Sequence, residues 1–207
     1  MAVERGINVV DGSHLFHSIS RVWSDYPELK GKKLKIDELA ELTHNFWAPY
    51  TGPTIRTILY FKKGDDRIRK MLTIPSANSP NLKSHWIINE CAQSVDAIPE
   101  EEINKLSPQY RDQAHRREKG LDMELACDVF QLVASNRVDS VVFLVNDRDY
   151  IPLFKALHRL GANTYLYALD KSQPIQKELA DLADLYHTFE SELNKIFGYT
   201  LPPVEAD

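Results

Sequence analysis

Cysteine is nearly absent from this chain, which has only Cys91 and Cys127 among 207 residues. They form no CxxC or Cys/His pattern, which excludes a structural zinc site and a disulfide framework and points to a reducing compartment. Long apolar runs are missing too. The opening MAVERGINVVDG reaches an aspartate after a short hydrophobic stretch, so the reading predicts neither a signal peptide nor a membrane span, and a cytoplasmic location. Neither GxGxxG nor GxxxxGK[ST] occurs, which removes support for a Rossmann dehydrogenase or a P-loop ATPase. The seven histidines show no HxH or HExxH spacing and so do not suggest a zinc hydrolase. Net charge is −5, so any contact with nucleic acid has to come from local basic patches.

What remains is an ordinary globular composition, 43% apolar and 27% charged, with room for one well-packed core. We read residues 1–198 as one domain and 199–207 as a frayed C-terminal tail. The stretch Val141 to Tyr150, VVFLVNDRDY, is the centre of the pattern. Its apolar run predicts a buried strand, and a buried parallel strand delivers the residues that follow it, Asp147 and Asp149, to a carboxyl-terminal edge where ligands collect. Taken alone, the two acids fit solvated loop residues equally well.

In chain order, Ile7–Val10 reads as a first strand that ends at Asp11, and Leu15–Trp23 as a helix. Residues 24–35 read as a loop. Ile36, Leu39, Leu42 and Phe46 fall at helical spacing, and the helix is predicted to stop before Pro49. Ile55–Phe61 and residues 84–88 are strand candidates. The segment 62–120 is basic in two places, KKGDDRIRK at 62–70 and again from Arg111 to Lys119, fitting either a solvated face or a rim for a phosphate backbone. Met123, Ala126, Phe130 and Val133 mark the predicted buried face of the next helix, with Asp122 near its start, a position that also suits a helix cap. Ile151–Leu160 predicts a helix closed by Gly161, and Thr164–Leu169 a strand. Ile175, Leu179, Leu182 and Tyr186 predict another helix, and Phe189, Leu193 and Ile196 a last one. Alternating strands and helices imply an α/β fold with a parallel sheet covered on both faces.

Three segments thus bring acids to strand or helix ends: Asp11, Asp122, and Asp147 with Asp149. All-oxygen carboxylate sets suit Mg²⁺ or Mn²⁺, which can activate water and stabilise a phosphodiester leaving group. A haloacid-dehalogenase-type phosphatase needs DxD directly after the first strand, whereas this chain has Asp11-Gly12-Ser13. Trp23, Trp47 and Trp86 suit the core, a dimer contact or a bound base.

The order INVVDGSHLF, ILYF, EKGLDMELACDVF, VVFLVNDRDYIPLFKALHRLGANTYLYAL and QPIQKELADLADLYHTF resembles the NYN domain, the LabA-like branch of the PIN-like nuclease superfamily, over about residues 5–190. The pair KGLD and NDRDY is its most specific part. The resemblance implies a three-layer α/β/α PIN-like (Rossmann-like) domain with a central, mainly parallel sheet. It implies a divalent-metal-dependent ribonuclease using Mg²⁺ or Mn²⁺ on single-stranded or structured RNA, with Asp11, Asp122, Asp147 and Asp149 as catalytic and metal-binding acids. Ser13, Lys62, Arg116, Arg117, Lys119 and Arg148 are the candidate RNA-binding residues. Asp128 also matches a family position but, six residues from Asp122, points off its helical face and suits a structural role. Three places depart from the family pattern: His14 replaces an asparagine, and Val145-Asn146 replaces Ser-Gly in the metal-site turn, where Asn146 is expected to keep the turn through positive φ. These departures motivate the alternative of a catalytically weak module that binds RNA or protein, with a homodimer or protein partner possible.

Overall fold

The computed structural model describes residues 5–52, 54–74, 86–91, 119–171 and 175–199, the side chains at 54, 55, 86–88, 90, 91, 119 and 120 excepted. The chain runs β1 (Gly6–Asp11), α1 (Gly12–Asp25), β2 (Leu34–Lys35), α2 (Ile36–Thr51), β3 (Thr54–Lys62), α3 (Arg67–Met71), β4 (Leu72–Thr73) and β5 (Trp86–Cys91). It continues with α4 (Lys119–Ala134), β6 (Ser140–Leu144), α5 (Ile151–Arg159), β7 (Asn163–Ala168), α6 (Lys177–Ala180), β8 (Leu185–Thr188) and α7 (Leu193–Ile196).

Six strands form one sheet in the order β5-β3-β1-β6-β7-β8, parallel at every pairing. The α/β sandwich and its parallel sheet therefore stand as the sequence pattern implied. Because side chains alternate along a strand, each strand feeds two cores. Val10, Leu59, Val142 and Leu144 pack against α1, α2 and α7 on one face. Ile7, Val9, Ile58, Tyr60, Val141, Phe143 and Val145 pack against α4 and α5 on the other. This is why VVFLV is apolar without interruption: β6 is buried on both sides.

The chain moves outward from β1 through β3 to β5, and then from β6 through β7 to β8. The reversal lies between β1 and β6, and their carboxyl ends carry Asp11 and the 146–150 turn. An open α/β sheet leaves its binding crevice at such a reversal.

Several local expectations give way to packing. Helix α2 continues through Pro49 to Thr51 and ends at Gly52, whose φ is 63°. Pro49 sits in the last turn, where its ring removes a single ladder bond, while fully buried Trp47 and Thr51 hold the turn against the core. On α4 the buried row is Leu121, Leu125, Val129 and Val133 at intervals of four. Met123 and Phe130 are 63% and 42% exposed. The helix carries two apolar rows and only one can face the sheet. Cys127 is exposed rather than apolar-packed. The expected helix through Tyr186 breaks after Ala180, and Leu185–Thr188 pairs with the open edge of β7 instead. Asp184 secures that entry by accepting from the Thr164 backbone N–H at 2.6 Å. Loop 24–35 contains a short 3-10 turn, Pro27–Leu29, and β2.

Gly12 marks the closest approach between β1–α1 and β3. A Cβ there would lie 2.4 Å from the Tyr60 carbonyl oxygen and 3.0 Å from Phe61 Cβ. Gly12→Ala must separate two central strands at the level of Asp11, and overpacking of this kind costs about 1–3 kcal/mol. A urea midpoint equal to wild type for Gly12→Ala would contradict this packing.

Candidate metal centre

β1 places Asp11 on the α4/α5 side of the sheet, in step with Ile7 and Val9, and leaves it 5% exposed. Its Oδ1 caps α1 by accepting from the backbone N–H of Ser13 at 2.8 Å and of His14 at 3.2 Å. Asp122 comes down from the first turn of α4, so it is a first-turn residue and not the cap. After β6, Asp147 Oδ1 accepts from the Asp149 N–H at 3.0 Å and starts the 3-10 turn Arg148–Tyr150. That turn leaves Asp147 and Asp149 exposed and buries Tyr150.

The carboxylates of Asp122, Asp147 and Asp149 each offer an oxygen within 4.8 Å of the others. Asp147 and Asp149 have no salt bridge among the described residues. Like charges at about 4 Å repel by about 1–4 kcal/mol per pair, from water to a protein surface. A divalent cation with oxygen ligands relieves that repulsion, so by donor type and proximity these three carboxylates could hold one.

Asp11 is outside this trio and reaches it through Tyr150. The tyrosine oxygen lies 3.1 Å from Asp11 Oδ2 and 2.9 Å from Asp122 Oδ1. One phenol carries one proton and cannot donate to two carboxylates at once. With Asp11 protonated, the chain of bonds closes: Asp11 donates to Tyr150, and Tyr150 donates to Asp122. Burial, with the charge of Asp122 adding to it, raises Asp11 to about 7 against the lowering effects of its backbone bonds and of the Tyr150 hydroxyl. Burial, followed by the charges of Asp11 and Asp122, pushes the Tyr150 phenol far above its ordinary value, so it remains a donor. His14 is lowered to about 4, first by burial and then by the charge of His17, and is neutral at pH 7.

The turn is held differently from the expectation for Asn146. Asn136 is the non-glycine residue at positive φ among those described. Asn146 instead accepts, through Oδ1, from the Gln176 backbone N–H at 2.8 Å. Arg148 donates from Nε to Gln176 Oε1 at 3.1 Å and pairs with Glu178 at 3.2 Å. Its guanidinium is thus directed at the α6 segment and away from the acids. Lys62 is exposed at the carboxyl end of β3, two residues beyond Tyr60, the pairing partner of Asp11. Ser13 is half-buried in the first turn of α1. Lys119 opens α4, and Arg116 and Arg117 lie outside the described residues. In the first basic stretch, Arg67 is absorbed by a bidentate pair with Asp65 and by the Phe16 ring.

Sequence reading passed over Tyr150. The available signal was a tyrosine directly after two acids at a strand end, since a buried phenol needs a polar partner. Asp128 has the structural role expected of it: its Oδ2 accepts from the Tyr60 hydroxyl at 3.1 Å and from Asn89 Nδ2 at 3.2 Å.

A parallel sheet flanked by helices, with acids gathered at its reversal point, is a PIN-like α/β fold. The family model described as NYN domain matches residues 9–192, and the chain belongs to that family, which is one of PIN-like nucleases. No curated protein matches the chain. The crystal structure of a protein of unknown function from Vibrio parahaemolyticus RIMD 2210633 is similar, with a TM-score of 0.54 and 12% identity over 93% of this chain and 97% of that one. At that identity the likeness shows the fold.

Asp11 also sets a pH dependence. Its folded value of about 7 exceeds its ordinary 3.8. Between those values the native state holds a proton that the unfolded chain has released, so stability falls as pH rises through the window. Asp11→Asn keeps both cap bonds and donates from Nδ2 to Tyr150. In EDTA its Tm should exceed wild type at pH 8 and equal it near pH 4. A wild-type advantage at pH 8 would overturn the protonated-Asp11 arrangement. Tyr150→Phe should cost about 1–2 kcal/mol by leaving the two carboxyls without their shared partner, measured by urea denaturation at pH 6.

Proposed function

We propose that this protein is a divalent-metal-dependent ribonuclease that hydrolyses RNA phosphodiester bonds. The observation that carries the reading is the trio of half-buried Asp122 with exposed Asp147 and Asp149 at the sheet's reversal point, with Asp11 buried behind it. Bound there, Mg²⁺ or Mn²⁺ supplies Lewis acidity, which makes water nucleophilic at neutral pH and neutralises charge on the phosphate. Asp147 and Asp149 would hold the ion, together with Asp122, which is oriented by the Tyr150 hydroxyl. Asp11 would join the set in its ionised form, which a nearby cation favours. Ser13, Lys62 and Lys119, placed at the same edge or at the head of α4, position the RNA backbone, with Arg148, Arg116 and Arg117 as further candidates.

A second reading is favoured by one observation. Asn146 and Arg148 tie the metal-site turn to Gln176 and Glu178, so the turn is fastened where the family has Ser-Gly, and the nearest arginine is already paired. That suits a catalytically weak module that holds RNA or a protein without cutting.

Cleavage of labelled RNA with Mn²⁺ or Mg²⁺ separates the two. Asp147→Asn and Asp149→Asn should each lower metal-dependent cleavage more than about 100-fold, since loss of even an outer partner of a metal ligand costs about 10- to 100-fold. Metal-independent RNA binding with no turnover by wild type would establish the weak module instead.

A further inference from the structure

Beside the acidic trio, among the described residues, α4 leaves part of β3 and β5 uncovered, and the gap is a cleft of about 680 Å³. Its lining changes character along its length. At the end nearer the acids, Tyr60 and Asn89 fix Asp128 in the wall. Tyr60 is the strand partner of Asp11, so this end adjoins the centre already described. Farther along, Phe130 contributes a ring that is 42% exposed. At the opposite end stand Arg56 and Arg137, both exposed and neither with an ion pair among the described residues. Two guanidiniums at one cleft, without an ion pair among the described residues, stand out in a chain of net charge −5.

The spacing follows from the elements. Arg56 precedes Tyr60 by four strand residues, roughly 13 Å. Along α4, Phe130 lies about 12 Å beyond Asp122, and Arg137, just past the helix end, roughly 20 Å beyond it. That span takes about six nucleotides at the stacked rise of ~3.4 Å, and fewer in an extended strand. An exposed aromatic followed by cations is the combination that holds single strands, bases on the ring and phosphates on the charges. Asp128 repels phosphate and accepts from a base amino group, so it favours a base at the inner end.

We propose that this cleft carries the single-stranded RNA leading away from the metal centre, with a base stacked on Phe130 and phosphates held by Arg56 and Arg137. The proposal rests on the ribonuclease reading for its substrate, and two assays on the full chain keep them apart. The first follows fluorescence anisotropy of an eight-nucleotide cytidine oligomer in EDTA. The second follows cleavage of eight- and three-nucleotide oligomers in Mn²⁺. Phe130→Ala should weaken binding about 5- to 150-fold. The double variant Arg56→Ala/Arg137→Ala should lower the slope of log affinity against log salt by about 1.4. In both variants the ratio of long- to short-oligomer cleavage should fall. All three residues are exposed, and circular dichroism checks that each variant folds as wild type. If wild type cleaves and both variants match it in affinity and length ratio, another occupant owns the cleft and the proposal falls while the nuclease stands. If wild type binds without cutting and the variants lose binding, the cleft stands and the nuclease falls. If wild type does not bind the oligomer, the proposal is overturned.

Discussion

A single phenol holds the two halves of this site together. Tyr150 connects Asp11, at the end of the first strand, with Asp122, at the head of α4, through one oxygen within hydrogen-bond reach of both. That oxygen has one proton to share between two acids, and the burial of Asp11 favours the state in which Asp11 carries a second. The two acids are thereby coupled through one hydroxyl. Asp122 in turn completes the trio with Asp147 and Asp149.

The arrangement is imposed by strand parity and sheet order. Asp11 follows Ile7 and Val9 onto the face covered by α4 and α5, where Asp122 and Tyr150 also arrive. Gly12 permits the close passage of β1–α1 past the Tyr60 carbonyl that this placement needs. The side chains of Asn146 and Arg148 fasten the third element, the 146–150 turn, to residues 176–178. In this way three segments distant in sequence converge without a glycine in the turn.

The central features were legible because they rest on local pattern. An uninterrupted VVFLV run specifies a strand buried on both faces, and an acid at the end of such a strand goes to the sheet edge. Tertiary competition hid the rest. Periodicity could not choose between the two apolar rows of α4, because both satisfy helical spacing and only the sheet decides. Leu185–Thr188 became a strand because the edge of β7 was open to it, which its own helical spacing does not announce. The role of Tyr150 depends on a neighbour 139 positions away in sequence. Arg148 looked like a phosphate ligand by its place between two acids, but Glu178 and Gln176 lie within its reach.

The central claim is that Asp122, Asp147 and Asp149 form a divalent-cation site. Its most direct test is a Mn²⁺ titration followed by electron paramagnetic resonance, comparing wild type with Asp122→Asn, Asp147→Asn and Asp149→Asn at pH 7.5. Wild type should bind Mn²⁺ saturably, and each variant should show a marked loss of affinity. Wild-type protein that leaves Mn²⁺ free, or variants that bind it as tightly as wild type, would contradict it.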